Sequence, residues 1–228
     1  MAKLTWHGHS CFEFETEEGK ILIDPFLSGN PKADVGPDEI EGIDAIVVSH
    51  GHGDHWGDTV SIAKRTGATV VAAYELAQLA SEKGCESHGL ACGGGHRFDF
   101  GHVKLVPAAH GSMTEADPKY STNPCGIVIT AGGKVFYHTG DTALTADIKL
   151  LGELYDFDCV CLPIGDNFTM GPEDALHAAR FLSAGLVIPM HYDTFPLIEQ
   201  DAAAWAEIVR AETGSRCEVL VPGGALEF

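Results

Sequence analysis

The segment AIVVSHGHGDHWGD places His50, His52, Asp54 and His55 within six residues. Neutral imidazoles beside a carboxylate make a donor set suited to zinc, iron or manganese. A loop at the end of a strand lets close neighbours diverge, so one segment can feed two metals. Gly51 and Gly53 alternate with the donors and are expected to supply the backbone freedom this needs. The competing reading is a polar surface turn with histidines gathered by chance. The apolar run before the motif and the density of donors weigh against it.

Donors of this kind need rigid supports. LTWHG, CFEFE and KILIDP read as three strands, and a Pro- and Gly-containing loop follows from Pro25 to Gly42. DAIVVSH is an apolar run of the buried-strand type that ends at His50. Residues 57–66 and 74–83 read as helices with TVVAA as a strand between them, and RFDFGHVKLVPAAH reads as a hairpin turning at Gly101. GIVIT, GGKVFYH, FDCVCLPIG and GLVIPMH are strand-like, while residues 172–183 and 196–212 have helical periodicity. Pro172 just inside a start and Gly185 just past an end fit helix-terminus preferences. Periodicity alone supports an α/β or α+β chain. Two similar halves, each strands first and strand–helix alternation after, suggest two sheets with outer helices. No linker or low-complexity stretch divides residues 1–228, so one domain is expected.

Ser49 to His55 resembles the Thr/Ser-His-x-His-x-Asp-His signature of the metallo-β-lactamase superfamily and matches it at every position. WHGHSCFEF, IDPF, HTGD, LPIGDNFTMGPEDA and MHYDTFPLIEQD are similar to a bacterial and archaeal family of metal-dependent hydrolases. That family stands near the L-ascorbate-6-phosphate lactonase and N-acyl-phosphatidylethanolamine phospholipase D branches. The resemblance implies an α+β, four-layer αββα sandwich and a two-metal site. His50, His52 and His110 would hold one ion, Asp54, His55 and His191 the other, and Asp141 would bridge them. His110, Asp141 and His191 each follow an apolar strand-like run. The resemblance also implies that His9 lies beside the metals, contacting substrate or moving protons. It implies that Asp24 braces the metal-binding loop, although a plain turn aspartate before Pro25 is an equal reading.

Asp166, Asn167 and Thr169, with Phe168 and Met170, are candidates for a substrate pocket, and an ordinary strand–helix connection is the alternative. His138 is read as an orienting or structural partner of the site. His88, His96, His102 and His177 are read as surface or structural, and His7 stays unassigned. Gly93 to Gly95 lack the Lys-Ser/Thr of a phosphate loop, and there is no Gly-x-Ser-x-Gly elbow or convincing cysteine nucleophile.

The chain has 33 acidic against 14 basic residues and a net charge of −19. Such a balance argues against bulk nucleic acid or an anionic membrane as partner. Two divalent ions would offset four charges at the site. No run approaches the roughly 20 apolar residues of a membrane helix, and the start of the sequence shows no leader pattern. Seven scattered cysteines suggest a reduced, cytoplasmic protein.

The expected activity is therefore hydrolysis of a small lactone or phosphodiester by a hydroxide held between two divalent ions. Zinc is the first choice, with manganese, iron or nickel as alternatives. Asp54 holds or accepts a proton, and His9 donates one or meets the oxyanion. A small-molecule substrate is the expected partner, and homo-oligomerisation is compatible with the sequence. The rival reading is a non-catalytic metal-binding or redox protein on the same scaffold.

Overall fold

Ala45–Val47, Cys159–Pro163 and Leu186–Met190 are buried at every position. Strands covered on both faces read as continuous apolar runs and sit inside parallel sheets. In a computed structural model, which describes residues 1–114, 117 and 121–228, that is where all three lie.

The first sheet contains β1 (Lys3–Trp6), β2 (Phe12–Thr16), β3 (Gly19–Ile23), β4 (Ala45–Val47), β5 (Thr69–Ala73) and β6 (Ser87–Leu90). The second contains β7 (Gly95–Phe98), β8 (Gly101–Pro107), β9 (Cys125–Ala131), β10 (Lys134–His138), β11 (Cys159–Pro163), β12 (Leu186–Met190) and β13 (Arg216–Cys217). The last strand, β14 (Ala225–Glu227), returns to the first sheet beside β1. Each sheet is an antiparallel meander that turns parallel: β1–β2–β3 then β4–β5–β6, and β7–β8–β9–β10 then β11–β12–β13.

Helices α1 (Gly53–Trp56), α2 (Thr59–Thr66) and α3 (Tyr74–Glu82) belong to the first half; α4 (Ala146–Leu154), α5 (Pro172–Leu182) and α6 (Ala202–Thr213) to the second. α2 and α3 pack on β4–β6, and α5 and α6 on β11 and β13. The layers are helix, sheet, sheet, helix. Phe14 of β2 stacks on Phe136 of β10 at 5.0 Å between ring centroids, closing the seam between the sheets. Among the described residues no helix is long and apolar enough to cross a membrane.

The structure departs from the sequence reading at the elements with the weakest apolar pattern. α4 went unseen because only Ile148 and Leu151 are buried, while Leu150 and Leu154 face solvent and blur the stripe. The segment read as helix 196–212 divides in two. Pro196–Ile198 is a 3₁₀ turn, and α6 begins after Asp201, whose carboxylate caps the helix by accepting the Ala204 N–H at 2.9 Å.

Candidate metal centre

Parallel strands point their C-terminal ends the same way, so the loops that follow them meet at one rim. Asp24 follows β3, His50 lies three residues beyond β4, His110 and Asp141 three beyond β8 and β10, and His191 directly after β12. His52 is the N-cap of α1, which carries Asp54 and His55. All seven residues expected as metal donors therefore meet at this rim. His50 Nε2 lies 3.1 Å from His52 Nδ1, which lies 3.2 Å from His110 Nε2. Asp141 Oδ2 lies 3.0 Å from His191 Nε2, 3.2 Å from His55 Nε2 and 3.5 Å from His110 Nε2.

Three groups have donor atoms all within 4.8 Å of one another: His50 with His52 and His110; His50 with His55 and Asp141; and His9, Asp54, His55 and His191. Each takes donors from loops of both sheets.

Asp24 decides which ring nitrogens face the cluster. It is fully buried, and its φ of 44° is a left-handed conformation unusual for a non-glycine residue. Its Oδ1 accepts the Ser49 N–H at 2.7 Å, and its Oδ2 accepts the Ser49 hydroxyl at 2.6 Å and His55 Nδ1–H at 2.7 Å. Ser49 has given its only proton to Asp24, so its oxygen accepts from His50 Nδ1–H at 2.9 Å. Both rings then turn Nε2 toward the cluster, as oriented metal-ligand histidines do. The bracing role left open for Asp24 is the one the hydrogen bonds show.

The electrostatics follow from this crowding. Burial opposes charge on His55, but Asp141 and Asp24 outweigh it and hold its pKa well above the ordinary value. Burial likewise opposes charge on Asp141, yet His191 and His55 hold it well below the usual carboxylate range. Burial and the neighbouring His55 charge push His50 well down. His55 Nε2 and His191 Nε2 meet nothing but the Asp141 Oδ2 ion-pair contacts given above, while Asp141 Oδ1 and His191 Nδ1 are buried without a hydrogen-bond partner. Buried polar atoms are rarely left so. Imidazole nitrogens and carboxylates aimed at common points fit divalent metal ions.

His9 is fully buried and bonds Thr194 Oγ1 through Nδ1 at 2.8 Å and Asp54 Oδ2 through Nε2 at 3.2 Å. Burial, followed by the His191 charge, lowers its pKa to about 4, so the ring is neutral near pH 7. Its carbonyl accepts the His191 N–H at 3.1 Å, and both residues have φ of 55°. His138 donates Nε2–H to the Ser10 carbonyl and accepts the Gly140 N–H at Nδ1, bracing the loop before Asp141. The expected role of the motif glycines changes: neither Gly51 nor Gly53 has a positive φ. Gly51 is needed for space, because a Cβ there would stand 2.6 Å from Thr114 Cγ2.

A cleft of about 730 Å³ opens over the cluster, with His52, Asp54, His110, Asp141 and His191 in its floor. Phe26, Phe168, Phe195 and Leu197 also line it. Of the proposed pocket loop, only Phe168 reaches the cleft. Asp166 and Asn167 take left-handed conformations and shape the turn, and Met170 is 1% exposed in the core. Phe26, Phe195, Leu197 and the His9 partner Thr194 escaped sequence reasoning. The one signal was aromatic residues beside proline in DPF and TFPL. His88, His96, His102 and His177 lie away from the cleft on partly or fully exposed surface. His7 is buried and bonds Asp34 at 2.8 Å.

The model of the β-lactamase superfamily domain matches residues 20–192. The UPF0173 metal-dependent hydrolase of Bacillus thuringiensis subsp. konkukian is 51% identical over 220 residues, covering 95% of this chain and 96% of the relative. Its counterpart in Heliobacterium modesticaldum is 47% identical over 232 residues, covering 99% and 97%. Among solved structures, Igni18, a metallo hydrolase from the hyperthermophilic archaeon Ignicoccus hospitalis, superposes with a TM-score of 0.90 at 34% identity, covering 100% of this chain and 99% of that one.

Proposed function

The chain belongs to the β-lactamase superfamily as a UPF0173 metal-dependent hydrolase, and we propose that it hydrolyses a small lactone or phosphodiester with two divalent ions. The observation that carries this reading is the convergence of imidazole nitrogens and carboxylate oxygens, all within 4.8 Å of one another in each group, from His50, His52 and His110, from His50, His55 and Asp141, and from His9, Asp54, His55 and His191. His50, His52 and His110 would hold one ion and Asp54, His55 and His191 the other, with Asp141 between them. The donor set suits zinc first, and manganese, iron or nickel also. When bound, such ions bring the pKa of a water from about 15.7 toward 7 and polarise the substrate oxygen.

The protein's own groups do the rest. Asp24 and Ser49 fix the tautomers of His55 and His50 before anything binds. Asp54 is held as a carboxylate: burial raises its pKa, but the His9 hydrogen bond and the His55 charge outweigh that. It lines the cleft and is positioned to hold or pass a proton. His9 does not line the cleft and reaches the reacting atoms through Asp54. A substrate that covered the exposed Phe168, Phe195 and Leu197 would displace water from the cleft and strengthen electrostatic interactions inside. Seven free cysteines, six of them buried, suit a reducing compartment such as the cytoplasm.

The test is elemental analysis of the purified protein beside Asp54→Ala and His191→Ala, with assays on bis-p-nitrophenyl phosphate and a panel of small lactones. The expected result is about two ions per chain, with metal and hydrolysis falling together in both variants. A protein that takes up no divalent metal even after reconstitution would overturn the proposal.

A further inference from the structure

The floor and the walls of the cleft differ in chemistry. Among the described residues, every charged or imidazole side chain that lines it belongs to the proposed metal set. Beyond that floor the lining side chains are Phe26, Phe168, Phe195 and Leu197. They come from three separate segments: the turn after β3, the loop after β11 and the 3₁₀ turn at Pro196–Ile198. Phe168, Phe195 and Leu197 are 52%, 37% and 68% exposed, so the fold leaves their apolar surface to be covered from outside. Concave apolar surface around a few convergent polar groups is the ordinary form of a small-molecule site. Among the described lining residues there is no Lys or Arg, and Asp54 and Asp141 add negative charge.

A phosphodiester enters with a full negative charge and gains more at the transition state, which enzymes meet with cationic clamps in addition to metals. A neutral lactone or ester develops a single oxyanion. Resting on the hydrolase reading above, we propose that the substrate is an uncharged lactone or ester with an apolar alkyl or aryl substituent that lies against Phe26, Phe168, Phe195 and Leu197. Water adds to the acyl carbon, the acyl C–O bond breaks, and the released alkoxide takes up a proton. The product is a carboxylic acid and an alcohol, joined in one hydroxy acid when a lactone opens.

Binding tests this without requiring turnover. Unreactive γ-lactams with side chains from methyl to hexyl, and dialkyl phosphates of matched length, are titrated calorimetrically into zinc-loaded and metal-free protein. The lactam Kd should fall about two- to fourfold per added methylene, and the phosphates should bind more weakly at equal length. Phe168→Ser and Leu197→Ser, both at exposed positions, should flatten the chain-length dependence and leave zinc content unchanged. A lactam Kd independent of chain length, or phosphates bound as tightly as lactams, overturns the proposal. Failure of the metal site reads separately as absent zinc, and the series on metal-free protein still measures the walls.

Discussion

Replacing Asp24 by Asn tests the bracing of the metal site with the least disturbance. Asn is tolerated in the left-handed conformation that residue 24 adopts, with φ of 44°, and it keeps the shape of the side chain. It cannot keep the hydrogen bonds. Asp24 accepts on both oxygens, from the Ser49 N–H at 2.7 Å and from Ser49 Oγ and His55 Nδ1 at 2.6 and 2.7 Å. If the Asn oxygen takes the place of Oδ2, its NH₂ group meets the Ser49 N–H donor to donor. If it takes the other, the NH₂ group faces His55 Nδ1 and drives the ring proton to Nε2, where the lone pair for a metal was. Either way at least one hydrogen bond to a charged acceptor goes, at about 1.5–3 kcal/mol, or roughly 10- to 160-fold in a binding constant. Loss of such an outer partner ordinarily weakens metal binding by about 10- to 100-fold, so the two arguments agree. Competition with a chromophoric zinc chelator measures the affinity, and circular dichroism checks the fold. A folded Asp24→Asn variant with wild-type zinc affinity would refute the reasoning.

Gly57→Ala should destabilise the protein by on the order of 2–4 kcal/mol in urea. A Cβ there would stand 2.3 Å from the Pro25 carbonyl oxygen, at a φ of 39°, and an unchanged unfolding midpoint would contradict this. Burial opposes charge on His7, but Glu13 and Asp34 outweigh it and raise its pKa above the ordinary 6.5. Its contribution to stability is therefore complete below about pH 6.5 and is lost as pH rises through the raised folded value. The difference in melting temperature between wild type and His7→Gln should shrink over that interval; a constant difference would count against it. Zinc loading near neutral pH should release a proton from His55, because its pKa is raised in the metal-free chain. Calorimetry in two buffers of different ionisation enthalpy should then give different apparent heats, and equal heats would refute the assignment.

The motif from His50 to His55 was legible because its donors are neighbours in sequence. Asp24 was legible only in part: the resemblance offered a bracing role beside that of a plain turn aspartate, but its partners Ser49 and His55 lie 25 and 31 positions away and no local pattern names them. His110, Asp141 and His191 could be named from strand endings and resemblance, but their closeness depends on which strands pair, and that is a property of the sheets. Apart from Phe168, which the sequence offered as a pocket residue, the cleft walls were hidden for a different reason. An exposed Phe or Leu in a loop looks the same in sequence whether or not it lines a cavity. The short strands β6, β13 and β14 are held by their neighbours more than by their own propensity, and the exposed leucines of α4 masked its buried face.

Because every candidate metal group draws donors from both sheets, an ion at the rim acts as a clasp across their seam. The donors from His50 to His55 emerge early in synthesis, yet His191 gains its position only when β12 has docked beside β11. A nascent first half can offer imidazoles to solution but lacks the second-sheet donors that the proposed site needs to enclose an ion. Metal capture at such a site would be a late event that rewards completed folding, since a ligand bound only by the native state stabilises that state alone. Chelation, in turn, would loosen the join between the halves before it loosened either sheet.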